Sequence, residues 1–142
     1  MDTADRDAQR LPIAQWSAAE RLRKLAYSLY LEHQPDIGWR EFARYGAIAG
    51  SQVLAVTLDL KDGREMLCSL VIGMSPEAFS VESDIGVDDP EADNGFRYLL
   101  EIPESFAHSL DEFIALIDRQ LDQLAEAAPR LLRELRSGTS MG

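Results

Sequence analysis

Apolar residues recur along this chain at two distinct periods. Leu22, Leu25, Ala26, Leu29 and Tyr30 are spaced three and four apart, the period that gives a helix one apolar face. Ser17-Ala-Ala-Glu20 opens that stretch as a capping box: Ser17 accepts from an early backbone N–H and Glu20 reaches back. Pro35 closes the helix near His33. Residues 1–12 are polar and aperiodic and end at Pro12, which predicts a loose arm. Trp39, Phe42 and Tyr45 recur every three residues and predict a short second helix over Gly38–Tyr45, with its aromatics packed into the core.

The period then changes to two. Leu54, Val56, Leu58 and Leu60 alternate with Val53, Ala55, Thr57 and Asp59, as in a strand with one buried face. Lys61-Asp62-Gly63-Arg64 carries the Asp-Gly signal of a tight hairpin. Met66, Cys68, Leu70 and Ile72 share one face of the returning strand. Gly73-Met74-Ser75-Pro76 is a turn. A third strand runs from Ala78 to Ile85, with Phe79, Val81, Ser83 and Ile85 inward. The fourth covers Phe96–Ile102, with Phe96, Tyr98, Leu100 and Ile102 inward and Pro103 ending it.

Ser109-Leu-Asp-Glu112 is a second capping box. Leu110, Ile114, Ile117, Leu121, Leu124, Ala128, Leu131 and Leu135 then step by four and three, a heptad-like stripe. Pro129 either kinks this helix or stops it and lets it restart. Residues 137–142 form a flexible tail. The whole predicts a single α+β domain over residues 13–136, a two-layer sandwich: a four-stranded antiparallel meander with two N-terminal helices and one long C-terminal helix on one face. A straight last helix of ~42 Å overhangs a seven-residue strand of ~23 Å. Either Pro129 folds the end back, or Leu121, Leu124, Leu131 and Leu135 offer surface to a second copy or a partner.

Charge adds what hydropathy does not. Of the 142 residues, 46% are hydrophobic and 27% charged, a globular composition. The net charge of −11 is uneven: residues 51–104 hold three basic and twelve acidic side chains, whereas residues 1–50 balance seven against seven. Such a surface repels nucleic acid and anionic lipid and attracts a basic protein. No apolar run approaches a membrane span, and the acidic, polar start lacks the form of a secretory signal. A soluble cytosolic protein is expected. The single cysteine, Cys68, excludes an internal disulfide and reads as a buried, inert thiol.

Candidate chemistry is sparse. Glu82 and Asp84 lie on one strand face, and Glu101 joins them from the neighbouring strand if all three face solvent. The loop Asp88-Asp89-Pro90-Glu91-Ala92-Asp93-Asn94-Gly95 adds Asp88, Asp89, Glu91 and Asp93. Asp89, Glu91 and Asp93 have the spacing of the first three ligands of an EF-hand. However, Asn94 replaces the glycine and Leu100 the bidentate glutamate, so the loop reads as a contact for a basic partner. His33 and His108 sit at helix boundaries without zinc spacing or a catalytic partner. There is no glycine-rich phosphate loop. No catalytic residue, metal or cofactor is predicted.

Gly95-Phe-Arg-Tyr-Leu-Leu-Glu-Ile-Pro103, followed by Ser109-Leu-Asp-Glu-Phe113, resembles the last strand and helix of class I secretion chaperones. The acidic, small α+β profile is also similar to that of bacterial immunity proteins. The second resemblance implies an inhibitor whose acidic face (Glu82, Asp84, Asp88, Asp89, Glu91, Asp93, Glu101) covers a basic toxin or effector. The first implies a homodimeric chaperone joined through the last helix and binding an extended client. A third reading places a small-ligand pocket among Trp39, Phe42, Tyr45 and Tyr98.

Overall fold

The computed structural model describes residues 3–45 and 51–137, with the backbone alone for 3–8 and 42–45. Helix α1 (Thr3–His33) is followed by five strands, β1 (Ile37–Tyr45), β2 (Ser51–Leu60), β3 (Glu65–Met74), β4 (Phe79–Asp88) and β5 (Phe96–Ala107), and then by helix α2 (Leu110–Ser137). The strands form one antiparallel sheet in chain order, β1-β2-β3-β4-β5. Both helices pack on the same face, α1 over β1 and β2, and α2 over β3, β4 and β5. The α+β class and the meander agree with the hydropathy pattern. The number of strands and helices does not.

The predicted helix over Gly38–Tyr45 is strand β1. It pairs with β2 over nine residues, from Ile37 opposite Leu60 to Tyr45 opposite Gln52. The threefold spacing of Trp39, Phe42 and Tyr45 concealed an equally valid alternation. Ile37 is buried and Trp39 packs against the core, facing the same side as Leu58 and Leu60. Partner strands decide between two such readings, because strand preference is largely a matter of cross-strand packing.

The first helix starts at Thr3, well before Ser17. Residues 3–12 are therefore helical instead of a loose arm, and Pro12 lies inside the helix. Ser17 is an exposed mid-helix residue, and Glu20 binds Arg23 instead of a backbone N–H. The apolar face extends back to Leu11, which packs on the same core as Ala18, Leu22, Ala26 and Leu29. Tertiary burial thus carries the helix across a local stop signal.

Helix α2 also runs through its proline, Pro129, so it neither stops nor folds back. Its capping box does form: Ser109 Oγ accepts from the Glu112 N–H at 3.2 Å, and Glu112 reaches back to the His108 N–H. No overhang results. The strands have 9 to 12 residues, and a 12-residue strand spans ~40 Å, close to the ~42 Å of a 28-residue helix. Leu121, Leu124, Leu131 and Leu135 are all buried in the domain's own core. The stripe that was a candidate dimer or partner helix is used internally.

The two helices run parallel, as a row of ion pairs with nearly constant offset shows: Arg10 to Asp111, Arg21 to Asp118 and Asp122, and Arg133 to Glu32. Between helices and sheet, Phe113 is fully buried and stacks on Phe79 with ring centroids 4.6 Å apart. No helix interrupts the strands among the described residues. No described helix is long and apolar enough to cross a membrane.

Candidate functional site: the uncovered sheet face

No described element covers the second face of the sheet. Strand alternation decides what it presents. On β4, Val81, Ser83, Ile85 and Val87 turn toward the helices and are buried, so Glu82, Asp84, Gly86 and Asp88 turn outward. On β2 and β3 the outward residues near the centre are small, and Ala55, Thr57 and Ser69 are screened by their neighbours.

Two irregularities in the pairing of β4 with β5 set the rest of the site. Ile85 pairs with Leu100 but Gly86 with Tyr98, leaving Leu99 as an extra residue. Such a bulge reverses the alternation. Tyr98, expected inside, therefore faces out and is 51% exposed. Phe96 also turns outward and lies over Gly86, where any side chain would meet its ring at 2.2 Å. The second irregularity, between Val81 and Ser83, lets β5 continue past Pro103 to Ala107, where a four-stranded reading had ended it. Proline is tolerated there because β5 is an edge strand. This extension brings Glu104 and Phe106 onto the outer face.

The outcome is a group of four carboxylates: Glu82, Asp84, Glu101 and Glu104. Asp84 stands opposite Glu101 in the register and accepts a hydrogen bond from Ser69 Oγ at 2.9 Å. Burial, with Glu101 beside it, raises the Asp84 carboxyl above its ordinary value despite that bond. Partial burial also raises the Glu82 carboxyl, although the residue as a whole is exposed, and Glu104 and Asp84 reinforce the shift. No cation among the described residues forms an ion pair with any of the four. The contrast on the same face is Arg40, which binds Asp59 at 2.9 Å and Glu65 at 2.9 Å. The acids Asp59 and Glu65 at the β1 end are therefore neutralised internally, and no such ion pair is found for Glu82, Asp84, Glu101 or Glu104 among the described residues.

Beside Glu82 and Glu104 lies a hollow of about 400 Å³, walled by Val71, Gly73, Ser80 and Phe106. Its rim is acidic and its wall aromatic, a combination suited to a lysine or arginine side chain.

The loop acids are a separate group. Asp89 Oδ1 accepts from the Glu91 N–H at 3.0 Å, its other oxygen meets Arg97 at 3.4 Å, and Asn94 accepts from Phe96. Gly95 closes the loop at φ 76°. Asp89 thus serves the loop itself, while Glu91 and Asp93 are exposed. No group of three potential ligands converges on a metal position among the described residues.

The remaining candidates for chemistry are occupied elsewhere. Trp39 and Tyr98 lie on opposite edges and opposite faces of the sheet, so they line no common pocket. The side chains of Phe42 and Tyr45 fall outside the described residues. The Cys68 thiol is fully buried and pushed up to about 12, by burial first and then by Asp84. Such a thiol is no nucleophile at neutral pH. His33 is buried with Nδ1 2.5 Å from an Arg136 nitrogen, and His108 is exposed.

A groove of about 760 Å³ between the free edge of β5 and α2 is floored by Leu100, Ile102, Leu116 and Gln120. Its buried polar group is fully engaged. Gln120 accepts from Ser83 Oγ at 2.7 Å and donates to the carbonyls of Val81 and Pro103 at 2.9 and 3.4 Å. Comparison with known protein families, with curated proteins and with solved structures finds no match, and a functional reading therefore rests on the chain's own geometry.

Proposed function

We propose that this protein is a non-catalytic binding domain, an inhibitor of the immunity type acting in the cytosol, whose uncovered sheet face covers a basic surface of a toxin or effector. The observation that carries this reading is the unneutralised carboxylate group Glu82, Asp84, Glu101 and Glu104 around the hollow beside Phe106. Burial first, and neighbouring carboxylates after it, hold the Glu82 and Asp84 carboxyls above their ordinary values and so disfavour their charged forms. A lysine or arginine from a partner relieves that cost and gains charge-assisted hydrogen bonds. Asp88, Asp89, Glu91 and Asp93 extend the field beyond the sheet and steer the approach.

The test is capture of partners from the native host at low and at high salt, with the wild type and with Glu82→Lys/Glu104→Lys. The expected result is a basic protein held by the wild type at low salt, released at high salt and not held by the charge-reversed variant. Equal retention by both forms overturns the reading. A second reading, a chaperone for an extended client, is favoured by the apolar floor of the groove along β5. It predicts capture that ignores the Glu82/Glu104 reversal and is lost on Leu116→Asp or Ile102→Asp.

A further inference from the structure

Helix α1 has a second apolar line, on the side away from the core. At 100° per residue, Leu22, Ala26, Leu29 and His33 point into the domain. Arg21 and Glu32 reach α2, and Arg23 reaches Glu41 on β1. Ile13, Trp16, Tyr27 and Leu31 point the other way, exposed by 64, 64, 52 and 49%. They account for four of the six large apolar side chains exposed among the described residues; the other two, Tyr98 and Phe106, lie on the uncovered sheet face. The gap in the middle of the line is filled by Glu20, which also pairs with Arg23 of its own helix, and by Lys24.

The order of this line reads the same from either end. About a point level with Leu22, Ile13 is the counterpart of Leu31 and Glu20 of Lys24, and Trp16 is that of Tyr27 to within one residue. We infer that this outward face of α1 is a self-complementary interface at which two copies of the chain pair through antiparallel α1 helices. A two-fold axis level with Leu22 places Ile13 against the second copy's residue 31 and Trp16 within one residue, about 1.5 Å of rise, of its residue 27. Glu20 then meets Lys24 of the other copy, twice. This is the isologous geometry of a cyclic dimer. A parallel pairing sets Glu20 on Glu20 and Lys24 on Lys24, and like charges at such spacing repel. A foreign partner has no need of this internal symmetry, which is why a second copy is the occupant that fits.

The seam extends over 19 residues, a rise of about 27 Å. A single pair of helices of that length covers less than the ~800 Å² per partner of a standard stable interface. The dimer is therefore concentration-dependent. The seam is mainly apolar, and the sheet face plays no part in it, so it survives high salt while partner capture through the carboxylates does not.

The test is sedimentation equilibrium of the full chain over a broad concentration range. The expected mass rises from 15.9 kDa to twice that value. Trp16→Ser, at an exposed position, leaves the melting curve unchanged and weakens the dimer by tenfold or more. Glu20→Lys alone and Lys24→Glu alone each weaken self-association. Mixed together, the two variants pair with each other, which no effect on monomer folding reproduces. A mass of one chain at every concentration, a dimer indifferent to Trp16→Ser, or failure of the mixed charge variants to pair overturns the inference.

Discussion

The two faces of the sheet are made from alternate residues of the same strands, yet they differ in almost every property. Under the helices, β4 contributes Val81, Ile85 and Val87 to a core that also holds the satisfied Ser83–Gln120 pair. One residue along, the same strand contributes Glu82 and Asp84 to a face where like charges stand together. The first face is built for stability. On the second, burial disfavours the ionised forms of Glu82 and Asp84. A strand that separates the two at every step allows one face to change in charge while the other holds the fold.

The largest expected effect breaks the covered face. Phe113→Ala removes the stack on Phe79 and should lower stability by about 3–5 kcal/mol, read as a shift in the urea midpoint. Gln120→Ala strands the Ser83 hydroxyl and two carbonyls in the interior and should cost about 1–3 kcal/mol. Adding Ser83→Ala should return part of that loss, which separates an unpaired hydroxyl from lost packing.

On the open face the sign reverses. Asp84→Asn keeps an acceptor for Ser69 and removes a charge whose ionised form the fold disfavours. The folded Asp84 carboxyl lies above its ordinary 3.8, so its contribution is complete at acid pH and lost as pH rises through the folded value. Asp84→Asn should therefore raise the melting temperature at pH 7, with the gain disappearing near pH 4, and should weaken capture of a basic partner. A fall in melting temperature at pH 7 would make Asp84 a structural residue.

The smallest effect concerns His33. Burial, with Arg136 and Arg133 nearby, holds its imidazole below the ordinary 6.5 against the opposing pull of Glu32. The unfolded chain then takes up the proton first, so stability falls as pH drops below about 6.5. Unfolding free energies of the wild type at pH 7 and pH 5 should differ by more than those of His33→Gln, whatever the absolute level of the variant.

Much of this was legible in the chain. The alternation in β2, β3 and β4, the Asp62-Gly63 hairpin and the Ser109 cap are local signals, and the structure contains each. Glu82 and Asp84 could be assigned to one face by counting in twos, and Glu101 to the same face by pairing across the hairpin. What was not legible depends on partners distant in sequence. Strand β1 is decided by Leu58 and Leu60, not by the spacing of its own aromatics. Tyr98 and Glu104 are decided by the two bulges, which reset the count along β5. Ile13 and Trp16 were hidden because the start of α1 is set by burial of Leu11 and Ala18, against the local signals of Pro12 and Ser17.

Cys68 gives the fold a built-in clock. It sits on a central strand between Val56 and Ile85, buried beneath the helical layer and unreactive while that layer stays in place. A thiol reagent can reach it only during the interval in which the sheet and helices part. The rate of labelling under native conditions therefore counts the openings of the whole core, from a single natural atom and without an added probe, whichever face a partner happens to occupy.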